Sequence, residues 1–386
     1  MKMKETKILI AGDLCLQDRT AHADLDTLIQ THEACMPIIK GADYTVVNLE
    51  CAVVTSAKPK AIKKAGPALK CTDKVVDLAK ALGFKACSLA NNHFADYGNE
   101  GVMETLAALE VRELDFVGAG MNAAEAKRIL YKKINDVTFA FINACEYEFT
   151  VATETKAGCN ALNPIGLSYD IKEAKKNADY AIMIIHGGHE EYQLPSPRMQ
   201  ETYRFFVDMG ADVVVNHHQH CYSGYELYRE KPIIYGLGNF SFDENGLRRS
   251  AWNEGYVVSL EFGKAISFDL IPYVQNDEQM GIQLMDGKKG EEFEQRIKHL
   301  NAIIADPKQL QEAWTAMAEQ HREEYLSPLK PYRYSRLVWL AKHHLLPRKL
   351  VAKLLPEYMT EVRRSFLKSY FQCESHRDIM NELLKL

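Results

Sequence analysis

Seven short apolar runs, each continuous rather than alternating, set the terms for this chain. They span residues 7–11, 44–49, 86–90, 137–144, 180–185, 212–215 and 232–235. A strand that is apolar on both faces has to be covered on both faces, the condition of a mostly parallel sheet clad in helices. Amphipathic patterns lie between the runs at 72–82, 98–109, 171–176 and 196–209. A hairpin follows over 255–262 and 265–272, turning at Gly263 and Lys264. The sequence predicts an α/β body closed by antiparallel strands.

The character changes near residue 280. Gly287 and Gly290 mark a polar break, after which 291–304, 307–325, 332–346 and 357–371 carry apolar residues at helical spacing. The expected organisation is an α/β domain over 1–280 and a helical region over 281–386. At 47% hydrophobic and 26% charged residues the 386-residue chain can bury a sizeable core, which excludes disordered, collagen-like and rod-like classes. The longest apolar runs fall far short of a membrane span, and residues 1–9 have no leader-like core.

Charge is unevenly spread. Residues 330–386 hold 12 Lys and Arg against 5 Asp and Glu, leaving 35 against 47 in the body. An acidic body with a basic tail argues against a nucleic-acid binder. The tail, with Trp339 among its basic residues, suits either packing on the acidic body, the favoured reading, or peripheral contact with an anionic membrane. The nine cysteines are odd in number and lack CxxC spacing, and Cys87 and Cys145 sit in apolar runs. Reduced, buried thiols and a cytoplasmic location are expected.

The chemistry lies at the strand ends. Run 7–11 leads into Gly12-Asp13, run 44–49 into Glu50, and run 86–90 into Asn91-Asn92-His93. Run 180–185 leads into His186-Gly187-Gly188-His189-Glu190, and run 212–215 into Asn216-His217-His218-Gln219-His220. Open α/β sheets bind ligands at the carboxyl edge, so five such tips can converge. Carboxylates, an amide oxygen and imidazoles without thiolate suit Mn, Fe or Zn. Six ligands exceed the need of one tetrahedral ion, whereas two ions sharing a carboxylate would use them all. Asn92 then ligates while the adjacent His93 points outward as a general acid. Any one of these pieces alone reads as readily as a turn, a cap or a satisfied histidine; their recurrence at five equivalent strand ends carries the metal reading.

The motifs Gly12-Asp13, Asn48-Leu49-Glu50, Ala90-Asn91-Asn92-His93 with Asp96-Tyr97-Gly98, Gly118-Ala119-Gly120-Met121-Asn122, His186-Gly187-Gly188-His189-Glu190, Gly210-Ala211-Asp212, His218-Gln219-His220 with Glu226, and 235–242 occur in a fixed order across residues 6–243. In this the chain resembles the CapA family, named for poly-γ-glutamate capsule synthesis, within the calcineurin-like metallophosphoesterase superfamily. The resemblance implies a four-layer αββα sandwich. It also implies that Asp13 and His220 hold one divalent transition metal, that Asn92, His186 and His218 hold a second, and that Glu50 bridges them, with His93 as proton donor.

Three positions depart from the superfamily pattern: Cys15 stands where a histidine usually follows the first aspartate, Glu50 replaces a bridging aspartate, and Gly187 stands where relatives often carry Trp. The first of these lowers the expectation for the metal at Asp13. Capsule-complex members commonly have an N-terminal anchor, whereas this chain starts at its first strand.

Around this centre, Asp96 and Glu190 are candidates to fix imidazole tautomers, Asn239 to line the pocket or cap its own turn, and Arg19 and the basic loop 58–64 to meet an anionic substrate. A solvated loop is the blander reading for the last. The expected function is a metal-dependent hydrolase of phosphoester or γ-glutamyl substrates linked to surface-polymer synthesis, with capsule-synthesis proteins as possible partners. The alternative is a non-catalytic, polymer-binding accessory.

Overall fold

A computed structural model of the chain describes residues 5–64 and 66–321, with eight further positions between 339 and 350. The helices expected at 332–346 and 357–371, and the membrane contact assigned to 330–386, lie largely outside the described residues.

Two mixed sheets form the centre. The first holds β18 (Ile282–Leu284), β17 (Ile266–Gln275), β16 (Glu254–Phe262), β1 (Thr6–Cys15), β2 (Tyr44–Leu49), β5 (Ala86–Ser88) and β6 (Asp115–Val117) in that order, and β15 (Asn239–Phe242) also pairs with β1. The second holds β13 (Tyr225–Tyr228), β14 (Lys231–Ile234), β12 (Val213–His217), β11 (Tyr180–His186), β9 (Val137–Cys145) and β8 (Leu130–Ile134). Strands β1, β2, β5 and β6 run parallel, as do β9, β11, β12 and β14. Two small pairs complete the set: β3 (Ala52–Val53) with β4 (Lys70–Cys71), and β7 (Ala119–Gly120) with β10 (Gly158–Cys159).

The continuous apolar runs are explained by four-layer packing. Along β1, Ile8 and Ile10 enter the core shared with Phe141, Ile182 and Val214 of the second sheet. Leu9 and Ala11 face the other way, into a core with Leu28, Ile39, Val75 and Leu78 from the covering helices. Both faces of the strand are therefore apolar, as period-2 geometry requires of a covered strand. On the far side of the second sheet, helices Pro164–Asn177 and Pro197–Met209 bury Leu167, Ile171, Tyr203 and Phe206. The first of these runs well beyond the expected 171–176. Its opening turn, capped by Asn163, leaves Ile165 and Tyr169 exposed and so blurs the apolar stripe.

The region after residue 280 differs from the expectation. Strand β18 extends the first sheet, and helix Gly287–Ala305 buries Phe293, Ile297, Leu300 and Ile304 in the hydrophobic core that holds the second sheet. The chain divides into compact units Met1–Trp314 and Thr315–Leu386, so this helix belongs to the first of them.

One buried histidine ties the helical layer to the first sheet. His32, fully enclosed, donates from Nδ1 to the Leu28 carbonyl at 2.7 Å and lies 2.9 Å through Nε2 from the Ser241 hydroxyl. Burial pushes its pKa down to about 4. The unfolded chain takes up that proton near pH 6.5, so stability from the neutral ring is whole above about 6.5 and is lost as pH falls through 4. Unfolding free energies from urea melts between pH 6.5 and 4 should fall more steeply for wild type than for His32→Gln, by up to about 1.4 kcal/mol per pH unit. Equal slopes would contradict this.

Candidate metal centre

The carboxyl ends of β1, β2, β11 and β12, with the segment after β5, converge on one edge of the sandwich. Local geometry aims each side chain. Strand β1 shifts register against both neighbours around Asp13, a bulge that redirects the carboxylate at the strand end. Gly12 makes this possible: a Cβ there would lie 1.9 Å from the Gly238 carbonyl oxygen, so no side chain fits beneath the bulge. His218 and His220 follow β12 with φ of 93° and 54°, left-handed values that cost a non-glycine residue about 1–3 kcal/mol each. Strain of that kind at two side chains sharing one site points to function.

Polar ties across the sandwich hold the edge in register. The Asn143 side chain on β9 accepts from the Leu89 and Ala90 backbone N–H groups at 3.0 and 2.7 Å, and donates to the Ile184 carbonyl at 2.9 Å. His217 donates from Nε2 to the Ala11 carbonyl at 3.0 Å and so faces away from the centre. Asn91 donates to the Leu49 carbonyl at 2.8 Å, setting the loop that carries Asn92 and His93.

The six expected ligands meet. His186 Nε2 lies 2.9 Å from Asn92 Oδ1, 3.1 Å from His218 Nδ1 and 3.5 Å from Glu50 Oε1. His220 lies 3.7 Å from Glu50 Oε1 through Nε2 and 3.8 Å from Asp13 Oδ2 through Nδ1. They form two sets whose ligand atoms all lie within 4.8 Å of one another: Glu50, His186 and His218, and Asp13, Glu50 and His220. Glu50 is common to both. It is fully buried, and neither of its carboxylate oxygens has a hydrogen-bond partner.

An orphaned carboxylate set among three imidazoles and a second carboxylate is costly without a cation. Burial, followed by the charges of Asp13 and Glu190, pushes the Glu50 pKa well above the usual carboxylate range. Burial and the neighbouring imidazoles hold His186 well below its ordinary value and His218 at about 3. Both rings are therefore neutral at neutral pH, the state a metal ligand needs. The donor set fits divalent transition metals: oxygens and imidazoles, with a shared carboxylate that two cations would satisfy at once.

The surrounding residues divide. Asp96 lies 2.7 Å from His93 Nδ1 and fixes that ring, while Asn239 Oδ1 lies 2.9 Å from His220 Nδ1. Asn239 therefore acts on a ligand rather than capping its own turn alone. Burial lowers the His93 pKa, and the Asp96 hydrogen bond partly opposes it. Arg19 is corrected. Its guanidinium grips Asp243 at 2.8 and 2.9 Å and donates to the carbonyls of Asn276, Asp277 and Glu278, a structural clamp whose anion is the protein's own carboxylate. Glu190 is corrected as well. It is exposed and makes no hydrogen bond to an imidazole among the described residues, so it bears on the centre as a charge.

Three further residues take part in ways the sequence did not assign. Lys64, from the loop read as solvated or substrate-facing, has a largely enclosed side chain that lies 2.5 Å from Asp96 Oδ1 and 3.2 Å from His93 Nδ1. Asn48 donates to Asp13 Oδ1 at 2.7 Å. Trp252 packs on His220 with ring centroids 4.5 Å apart. Strand position foretold Asn48, two residues before Glu50; nothing local marked Lys64 or Trp252.

The family described as bacterial capsule synthesis protein PGA_cap matches residues 7–244, which contain all six candidate ligands. The chain belongs to that family. It is 36% identical to the capsule biosynthesis protein CapA of Bacillus anthracis over 55% of this chain and 53% of that protein. It is 33% identical to the PGA biosynthesis protein CapA of Bacillus subtilis over 59% of this chain and 60% of that protein. The match thus spans a little over half the length of these relatives. A looser likeness, TM-score 0.44 at 14% identity over 77% of this chain and 58% of the other, is to a putative 5'-nucleotidase of Staphylococcus aureus. Among the described residues no helix is long and apolar enough to cross a membrane.

Proposed function

We propose that this PGA_cap family member is a hydrolase dependent on two divalent transition metals, acting on a phosphoester or γ-glutamyl substrate in surface-polymer synthesis. The observation that carries the reading is Glu50, buried without a hydrogen-bond partner on either carboxylate oxygen and shared by two ligand sets. Asp13 and His220 would hold one cation, and Asn92, His186 and His218 the other. Two such cations, when bound, polarise the scissile bond and activate water.

The protein's own groups do the rest. Asn239 presents His220, and Asn48 restrains the Asp13 carboxylate. His93, oriented by Asp96, delivers a proton to the leaving group. Lys64 beside that pair adds positive charge where an anionic group would approach. Capsule-related substrates and partners enter through the two CapA relatives.

The test loads the full chain with Mn, Fe or Zn and assays bis-p-nitrophenyl phosphate, phosphomonoesters, γ-glutamyl amides and poly-γ-glutamate. Turnover of at least one class, abolished in His218→Ala, is expected. Metal binding with no turnover of any, together with polymer binding that survives chelation, would replace the hydrolase with a polymer-binding accessory.

A further inference from the structure

Directly beside the centre, but outside its ligand set, three thiols meet. Cys15 ends β1, Cys51 follows Glu50 and precedes β3, and Cys71 ends β4. Their sulfurs all lie within 4.8 Å of one another, with Cys15 and Cys71 Sγ 3.8 Å apart. All three residues are buried. Cys15, the residue at the place usually held by a histidine, thus joins this group rather than the carboxylates and imidazoles of the metal centre.

The spacing and the surroundings suit a cation. A tetrahedral zinc ion with Zn–S bonds of about 2.3 Å sets neighbouring sulfurs about 3.8 Å apart. A disulfide would need about 2.0 Å. N–H donors also converge on the sulfurs: the Leu16 backbone donates to Cys71 Sγ at 3.2 Å, and Gln17 Nε2 lies 3.4 Å from Cys15 Sγ and 4.0 Å from Cys71 Sγ. Such donors stabilise and orient thiolate ligands. Three sulfurs and no oxygen make a soft set, opposite in character to the neighbouring centre, and select thiophilic d10 ions.

We propose that Cys15, Cys51 and Cys71 form a further metal site that takes one thiophilic d10 cation, Zn(II) or Cu(I). The cation would join β1 to the β3–β4 pair. The segment between β3 and β4 carries Lys64 and Leu69, both bonded to Asp96, which orients His93. The site is therefore a clamp at the base of the loop that supports the candidate proton donor.

The test uses the reduced full chain as His186→Ala/His218→Ala, which weakens the oxygen and nitrogen centre. Cadmium titration should give one equivalent with a thiolate-to-metal charge-transfer band in the near ultraviolet, lost in Cys51→Ser and in Cys71→Ser. Displacement by Zn(II) marks a zinc site, and displacement by Cu(I) but not Zn(II) a copper site. X-ray absorption of the parent double variant loaded with one equivalent of zinc needs no cysteine substitution and should show a sulfur shell at about 2.3 Å. No band and no sulfur shell in the folded chain would reduce the three thiols to packing. Because the readout is sulfur ligation, it can succeed or fail whatever the activity of the neighbouring centre.

Discussion

Glu50→Gln should do two opposite things to this protein. Metal affinity should fall by more than about 100-fold, since a bridging ligand matters more than the outer partners whose loss costs 10- to 100-fold. Turnover should drop on the order of 10³-fold or more, because several kcal/mol of charge stabilisation disappears at about 1.4 kcal/mol per decade. The metal-free chain, by contrast, should become more stable. Both Glu50 oxygens are buried without hydrogen-bond partners, and burial and Asp13 already push the carboxyl toward its neutral form. The amide carries no charge, so the cost of holding a buried carboxylate without a cation is removed, about 1–3 kcal/mol. Elemental analysis and urea unfolding in chelator read the two effects separately. A metal-free variant less stable than wild type would show that Glu50 supports the fold and is no waiting ligand.

The second large effect belongs to His93. Its Nδ1 is held by Asp96 at 2.7 Å, and the ring is absent from both ligand sets, as suits a group that handles protons rather than metal. His93→Gln should leave metal content unchanged and lower kcat by about 10²–10⁴-fold on a substrate with an alkoxide leaving group. On a p-nitrophenyl ester, whose leaving group departs unprotonated, the deficit should shrink to roughly tenfold. The contrast between the two substrates identifies a general acid. An equal loss on both would assign His93 to substrate binding or to the metal centre instead.

The sequence reading reached most of the centre because strand ends are legible. Each candidate ligand follows a continuous apolar run, and a parallel sheet carries such tips to one edge, so proximity of Asp13, Glu50, Asn92, His186, His218 and His220 could be expected without coordinates. What it misread turns on long-range pairing. Arg19 meets Asp243, more than 200 positions away, and its charge alone suggested an anion site. Lys64 looked like one of several loop lysines until burial against Asp96 set it apart. Short strands such as Asp115–Val117 and Asn239–Phe242 offer too few residues to show a period, although Asn239–Phe242 pairs beside Asp13. The helix Gly287–Ala305 was recognised as a helix, but its burial in the hydrophobic core that holds the second sheet is decided by the partner surface.

The central claim is that Glu50 bridges two cations, and diffraction on crystals of the manganese-loaded chain tests it most directly. The account predicts two anomalous peaks about 3.5–4 Å apart, one against Asp13 and His220, one against Asn92, His186 and His218, with Glu50 between them. One peak remote from Glu50, or no ordered metal at this edge, would contradict it.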